Sequence, residues 1–201
     1  IKKITSGSTA KISIFIDKLY KQIIEAGTYR VKSIKIAEAA KVIENAQRDL
    51  NIAFVNELSI MFNLMGLNSK EILDAASTKW NFFNFKPGLV GGHCIGVDPY
   101  YLSFLAKKKK VGSNLILAGR KINNDFPIFL AQYINNFLRK KNKILVLGLT
   151  FKENVNDIRN TKVVDLIKSL KKKGHKVYVN DTYAYENEVK KMNLSLISLS
   201  K

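Results

Sequence analysis

One cysteine, three prolines and two histidines stand in a chain of 201 residues, and each scarcity closes off a class of protein. A single thiol excludes an internal disulfide, so a stapled secreted scaffold is ruled out and a cytoplasmic protein is the plain expectation. His93 and His175 lie far apart and have no partners at ligand spacing, which argues against a metal site. Long apolar runs are missing as well, so nothing reads as a membrane span. The opening Ile1-Lys2-Lys3-Ile4 lacks the apolar core of a signal peptide and suggests a piece of a longer protein that begins in a strand. Acidic residues are few beside basic ones, 16 against 34, for a formal charge of +18. Such a charge suits a nucleic-acid or anionic-membrane surface. Yet the cations are mostly lysines in short clusters (Lys107 to Lys110, Arg139 to Lys141, Lys171 to Lys173), with no aromatics interleaved for base stacking. Solvated faces that help gather an anionic substrate are the better reading, with neither nucleic acid nor membrane as partner.

What is present is a hydrophobic content of 46%, enough for a sizeable core. Apolar residues from Thr9 to Ile24 fall at helical spacing, and Gly27 ends that segment. A much longer helix is predicted over 33–65, with Ser33 as N-cap and Gly66 at its end. At about 1.5 Å per residue it is on the order of 45 Å long, which suits a helix that spans two domains or pairs with a second subunit. Asn68 and Glu71 open a short helix in the manner of a capping box. Trp80 to Val97 is a loop. Asp98-Pro99 reads as N-cap and first residue of a helix to about Lys109. A further helix runs from Asn114 to Lys140, broken or kinked at Pro127.

After Asn142 the pattern changes. Lys143 to Leu149 is a continuous apolar run, as in a strand covered on both faces. A helix from Thr161 to Lys173, a strand from His175 to Asn180, a short helix and a strand at Leu194 to Ile197 continue a doubly wound pattern. The expected class is therefore α/β: a central all-helical domain with a long helix, then a partial Rossmann-like domain with a doubly wound parallel sheet.

Chemistry concentrates around Cys94, in Gly91-Gly92-His93-Cys94-Ile95-Gly96-Val97-Asp98-Pro99. Glycines permit close approach of backbone to a ligand, and the following helix dipole favours a thiolate, a competent covalent nucleophile. The bland alternative is a small buried residue in a tight turn. Asp98 is a helix cap or a carboxylate that positions water near the thiol. Lys41 and Asn45 share a helix face one turn apart. Among Ala39, Ala40, Val42 and Ile43, the Lys41 amine would be desolvated enough to steady an oxyanion, with Asn45 adding a hydrogen bond. As solitary signals, both are better read as surface residues. Asn51, Asn56 and Glu57 suit interface hydrogen bonds. No G-x-G-x-x-G follows Gly148, so the dinucleotide fingerprint is absent. Lys152 and Arg159 flank the loop after the strand instead, and two cations there fit phosphate binding or merely a solvated loop.

Three segments taken in order, AEAAKVIENAQRDLNIAFVNEL, FKPGLVGGHCIGVDPYYL and KILVLGLTFKENVNDIRNTKVVDL, resemble the UDP-glucose/GDP-mannose dehydrogenase family. Within the second, the loop FKPGLVGGHCIGVDPYY resembles the family's bacterial branch acting on UDP-N-acetylhexosamines such as UDP-N-acetyl-D-glucosamine. The resemblance implies an NAD-dependent, four-electron oxidation of the sugar C6 alcohol to a carboxylate, for surface polysaccharides. It assigns Cys94 the role of the thiol that holds the C6 aldehyde, Lys41 and Asn45 the oxyanion contacts, and Asp98 the carboxylate paired with lysine and water. Phe85, Lys86, Pro87, Gly88 and Gly91 match the segment around the UDP-sugar, Phe151 and Lys152 further substrate contacts, and Arg159 and Val97 contacts to NAD. By the same resemblance, residues 1–8 are the last strand of an NAD-binding domain, 9–141 the central helical domain, and 142–201 a shortened UDP-sugar domain. The long helix 33–65 then forms a homodimer. The family's glutamate and NAD fingerprint are missing from the chain, so it is expected to be inactive alone. The rival class is a non-catalytic dimerisation module with a structural Cys94.

Overall fold

The computed structural model describes residues 1–199 and divides into an N-terminal unit, Ile1–Asn45, and a C-terminal unit that begins at Ala46. In the first, β1 (Lys3–Thr5) and β2 (Thr28–Arg30) pair in parallel, and α1 (Ala10–Lys21) is the crossover that parallel neighbours require. Thr9 caps α1, its hydroxyl accepting from the Ile12 N–H at 3.2 Å. Asp17, buried on α1, accepts from the Thr5 hydroxyl at 2.7 Å and the Thr28 hydroxyl at 2.6 Å. Its ion pair with Lys21 contributes most to holding the carboxyl far below the usual carboxylate range, followed by Thr28 and Thr5. The strand β2 is not expected from sequence, since Thr-Tyr-Arg has no apolar alternation. Consequently α1 is part of a βαβ unit, not the first helix of a helical region.

The boundary between the units falls inside α2 (Ile34–Leu64), whose 31 residues make it about 46 Å long. It ends as expected at Gly66, where φ is +72° and the Leu67 N–H reaches back to Phe62 O at 2.8 Å. α3 (Ser69–Ala76) is opened by Asn68, which accepts from the Lys70 and Glu71 N–H groups while donating to Glu71 Oε1 at 2.8 Å. α4 (Asp98–Lys108) includes Asp98 as its first residue. The expected cap at Asp98 is thus displaced to Val97, because the chain already turns from Cys94 onward.

α5 (Asn114–Leu138) passes through Pro127 without the break that was one of the two expectations there, with that ring fully buried. The part of α2 beyond Ala46 lies close to α5: a Cβ on Gly119 would come 2.6 Å from Leu50 Cδ2. Small apolar residues, Ala46, Ala53 and Ala131, are buried in this unit together with Asp49, Asn56, Asn123 and Arg120. Those four polar side chains form one chain of bonds. Arg120 Nη1 donates to Asp49 Oδ1 at 2.5 Å, Asn123 Nδ2 to the same oxygen at 2.7 Å, and Asn56 Nδ2 to Asn123 Oδ1 at 2.9 Å.

β3 (Lys143–Leu147) and β4 (Lys176–Asn180) pair in parallel through the crossover α6 (Val163–Lys172). A short α7 (Glu186–Lys191) follows, and the expected strand at Leu194 is reduced to one parallel bridge, Leu196 to Val179. Leu149, Ile158, Val164, Ile167, Val179, Val189 and Leu194 form the apolar core here. Leu145 and Leu147 are 43% and 67% exposed, so β3 is covered on one face only, where two were expected. Its apolar run does not distinguish the covered face from the bare one. Among the described residues no helix is long and apolar enough to cross a membrane.

Candidate active site

Two loops of the C-terminal unit meet around Cys94. Glycine makes the meeting possible. A Cβ on Gly91 would sit 2.8 Å from the Asn160 carbonyl oxygen, and one on Gly92, where φ is +87°, 2.8 Å from the Phe151 ring. The Asn160 amide reaches Gly92 O at 3.5 Å. His93 stands edge-on to Phe151 with ring centroids 6.0 Å apart, and its Nδ1 lies 3.4 Å from Arg159 Nη2 and 3.5 Å from Asp157 Oδ2. Cys94 follows as a free, half-buried thiol. Its carbonyl accepts from the Val97 N–H at 3.0 Å and the Asp98 N–H at 2.8 Å, the turn that leads into α4.

Arg159 is fixed as a fork on Asp157, with Nε 3.0 Å from both carboxylate oxygens and Nη2 2.6 Å from one. The Arg159 hydrogen bonds hold the Asp157 carboxyl down to about 2, and the same pair pushes the guanidinium up. Though fixed, the Arg159 side chain is 67% exposed, so it presents an oriented cation beside the thiol loop.

At the C-terminal ends of β3 and β4, where open α/β sheets place ligands, lies a crevice of about 650 Å³ lined by Phe151, Lys152, Asp181 and Tyr183 among others. Asp181 shapes it. Burial works against its ionisation, yet the N–H groups of Leu149, Thr150, Tyr183 and Ala184 hold its carboxyl below the ordinary range. A second cavity of about 590 Å³ is lined by Gly91, Gly92, Val97, Tyr100, Arg120 and Lys162, among others. Both are of a size that takes small molecules.

The structure therefore brings Gly91, Cys94, Val97, Phe151 and Arg159 into one neighbourhood, with Asp98 in the turn beside the thiol and Lys152 in the adjoining crevice. Phe85 lines a smaller cleft with Phe54 and Asn51, Lys86 is exposed, Pro87 is half-buried, and Gly88 is held by Asn56. Lys41 and Asn45 belong to the N-terminal unit. Asn45 is buried, but Lys41 is exposed and paired with Glu44 at 2.9 Å. The apolar shelter expected for its amine is not formed, since neighbouring Ile43 is itself 56% exposed. Sequence reasoning missed Asp157 and Asp181, which face these loops. The N-D pair two residues before Arg159 was the only available signal for the first. Among the described residues no group of three or more His, Cys, Asp or Glu is placed to hold a metal ion.

Fold and site together define an α/β protein in which a thiol-bearing loop of a helical region is docked on a doubly wound domain. Two profiles of a single family match it: the UDP-glucose/GDP-mannose dehydrogenase family, central domain, over residues 35–125, and the UDP binding domain of the same family over 145–201. The chain belongs to that family. It is 51% identical to a UDP-N-acetyl-D-glucosamine 6-dehydrogenase of Salmonella typhi across 95% of this chain and 46% of the relative. A protein of the same description from Pseudomonas aeruginosa is 51% identical across 91% and 45%. In fold it resembles a UDP-glucose dehydrogenase of Pyrobaculum islandicum, with a TM-score of 0.84 and 23% identity across 98% of this chain and 46% of that one. The chain spans about half the length of the curated relatives it matches.

Proposed function

We propose that this chain is the C-terminal part of an NAD-dependent UDP-N-acetylhexosamine 6-dehydrogenase, cytoplasmic and homodimeric through α2, in which Cys94 holds the substrate covalently. The 51% identity to relatives described as UDP-N-acetyl-D-glucosamine 6-dehydrogenases supports the substrate class. The single observation that carries the mechanism is the docking of the Cys94 loop onto Phe151 and Arg159, next to the crevice that contains Lys152. That arrangement suits a nucleotide sugar whose phosphates meet Lys152 while C6 reaches the sulfur. Phe54, Met61 and Leu64, all substantially exposed on α2, support the dimer.

NAD, when bound, supplies the hydride acceptor for both oxidations, and the exposed, oriented Arg159 fits a pyrophosphate. The Cys94 sulfur adds to the C6 carbonyl carbon of the aldehyde, forming a C–S bond and an oxyanion that gains a proton. Loss of hydride and of the hydroxyl proton from that thiohemiacetal gives a thioester, and water breaks the C–S bond to release carboxylate, thiol and a proton. Covalent capture keeps the aldehyde from escaping between the two steps. Lys41 and Asn45 steady the oxyanion and Asp98 orients the water in this scheme. The segment from Phe85 to Gly91 encloses the sugar and uridine, and Val97 contacts the cofactor.

The chain itself offers a test, because Cys94 is its sole cysteine. UDP-N-acetylglucosamine is expected to slow alkylation of Cys94 by iodoacetamide several-fold, with UDP alone weaker. An alkylation rate indifferent to either ligand favours the non-catalytic module. NADH production by the 201-residue chain alone would contradict the proposed division of labour.

A further inference from the structure

The loop that carries Cys94 is tied upstream to a buried polar chain and downstream to its more exposed end at Asn124 and Tyr100, and we infer that this chain, with Asn56 at its head, positions the thiol. The inference rests on the reading of Cys94 as the reacting group. Upstream, Asn56 pairs with the Gly88 backbone as a neighbouring strand would: Nδ2 donates to Gly88 O at 3.0 Å, and Oδ1 accepts from the Gly88 N–H at 2.8 Å. Its other amide proton goes to Asn123 Oδ1 at 2.9 Å, and Asn123 in turn donates to Asp49 O and Oδ1 at 2.9 and 2.7 Å. Asp49 Oδ1 also takes Arg120 Nη1, while Arg120 Nη2 donates to Asn124 Oδ1 at 2.7 Å. Downstream, Asn124 Nδ2 reaches the Tyr100 hydroxyl at 3.1 Å, and the guanidinium lies 5.8 Å from that ring. Gly88 and Tyr100 bracket Cys94, six residues away on each side.

Plain helix contact does not call for such a chain. Asp49, Asn56 and Asn123 are 0% exposed and Arg120 only 3%, and apolar side chains would pack α2 on α5 without the desolvation cost. What hydrogen bonds add is direction. The Asn56 amide fixes Gly88 in both distance and orientation, which an apolar side chain cannot do. An aspartate there lacks the donors, and a glutamine is one methylene too long. Among the described residues Asp49 Oδ2 and Arg120 Nε have no hydrogen-bond partner, so part of the desolvation cost of this chain is left uncompensated.

The test uses the 201-residue chain without substrate, reading amide exchange at Gly88 and alkylation at Cys94. Asn56→Ala is expected to speed Gly88 exchange about ten-fold, the worth of one hydrogen bond, and to change Cys94 alkylation several-fold. Leu170→Ala, in the apolar core away from the loop, serves as the control for lost stability and leaves both readouts near the parent. Asn56→Asp adds a signature that no general loosening reproduces. The acid accepts from the Gly88 N–H in either form, but only its protonated form can donate to the oxygens of Gly88 or Asn123, which the ionised form repels. Gly88 exchange relative to the parent at the same pH therefore stays near one at about pH 5 and rises at about pH 8. Should Asn56→Ala fail to fold, Asn56→Asp and Tyr100→Phe decide, the latter by altering alkylation with an unchanged Tm. Asn56 variants that match Leu170→Ala in both readouts, with no pH dependence in Asn56→Asp, overturn the inference. Failure of the functional reading shows elsewhere, as a Cys94 that UDP-sugar does not protect.

Discussion

The two halves of the C-terminal unit are buried in opposite ways. Around β3, β4 and α6 the core is chiefly apolar, built from Leu149, Ile158, Ile167, Val179 and their neighbours, with Thr161 and His175 as buried polar side chains. Between α2 and α5 the most buried side chains include Asp49, Asn56 and Asn123, with Arg120 beside them. Apolar burial is non-directional and tolerates repacking, whereas a hydrogen-bonded chain demands one geometry. The polar half is also the half that holds the Cys94 loop. Burial is non-directional in one region and fixes orientation in the other.

The sharpest way to break that contrast is to remove one charge from the polar half. Arg120→Met leaves Asp49 buried without its cation, at a cost of about 3–5 kcal/mol in denaturant unfolding. Combining it with Asp49→Asn removes both charges and is expected to recover more than half of that loss. Burial already pushes the Asp49 carboxyl up against the pull of Arg120 and Asn123, so the isolated acid takes up a proton readily. Next in size is Ile167→Ala in the apolar half, about 2–4 kcal/mol by the same measurement, with Cys94 alkylation unchanged. If it altered the thiol as strongly as an Asn56 variant, the division between non-directional burial and orientation would fail.

Gly92→Ala lies at the junction of the two halves. It needs a positive φ and would push a Cβ into the Phe151 ring, for about 1–3 kcal/mol together with a displaced thiol loop seen as altered alkylation. The smallest effect is in acid. Asp157 has its folded-state value lowered to about 2, so what it contributes is present above the ordinary aspartate value of about 4. That contribution is lost as pH falls toward about 2. Loss of the Arg159 fork should therefore appear as pH falls to about 2, as a change in the His93 ring resonances, and Asp157→Asn should produce it at neutral pH.

Within both halves, local features are far more legible in the sequence than long-range ones. Gly66 and Gly174 announce helix ends and adopt the positive φ that such ends use, and Asn68 with Glu71 marks a helix start. These are local signals, carried by neighbouring residues. The polar chain joins Asp49 to Arg120 and Asn56 to Asn123, pairs 71 and 67 residues apart, so each member reads alone as a surface or interface residue. Asn56 was expected at an interface for that reason, and it serves inside the chain instead. Asp17 and Asp181 are similar, acidic residues whose partners come from other elements. The thiol loop itself was legible because glycines, cysteine and the Asp-Pro start of a helix are contiguous in it. Lys41 shows the opposite error, since apolar neighbours in sequence do not shelter an amine when their helix face is bare.

The proposed function turns on the sulfur of Cys94. The most direct measurement joins this chain to the N-terminal part of a curated relative and follows UDP-N-acetylglucosamine with NAD by mass spectrometry, comparing the parent with Cys94→Ser. The parent is expected to release the uronate with two NADH per sugar, passing through a sugar adduct on Cys94, and Cys94→Ser to release essentially none. Uronate formed by Cys94→Ser at the parent's rate would contradict the account.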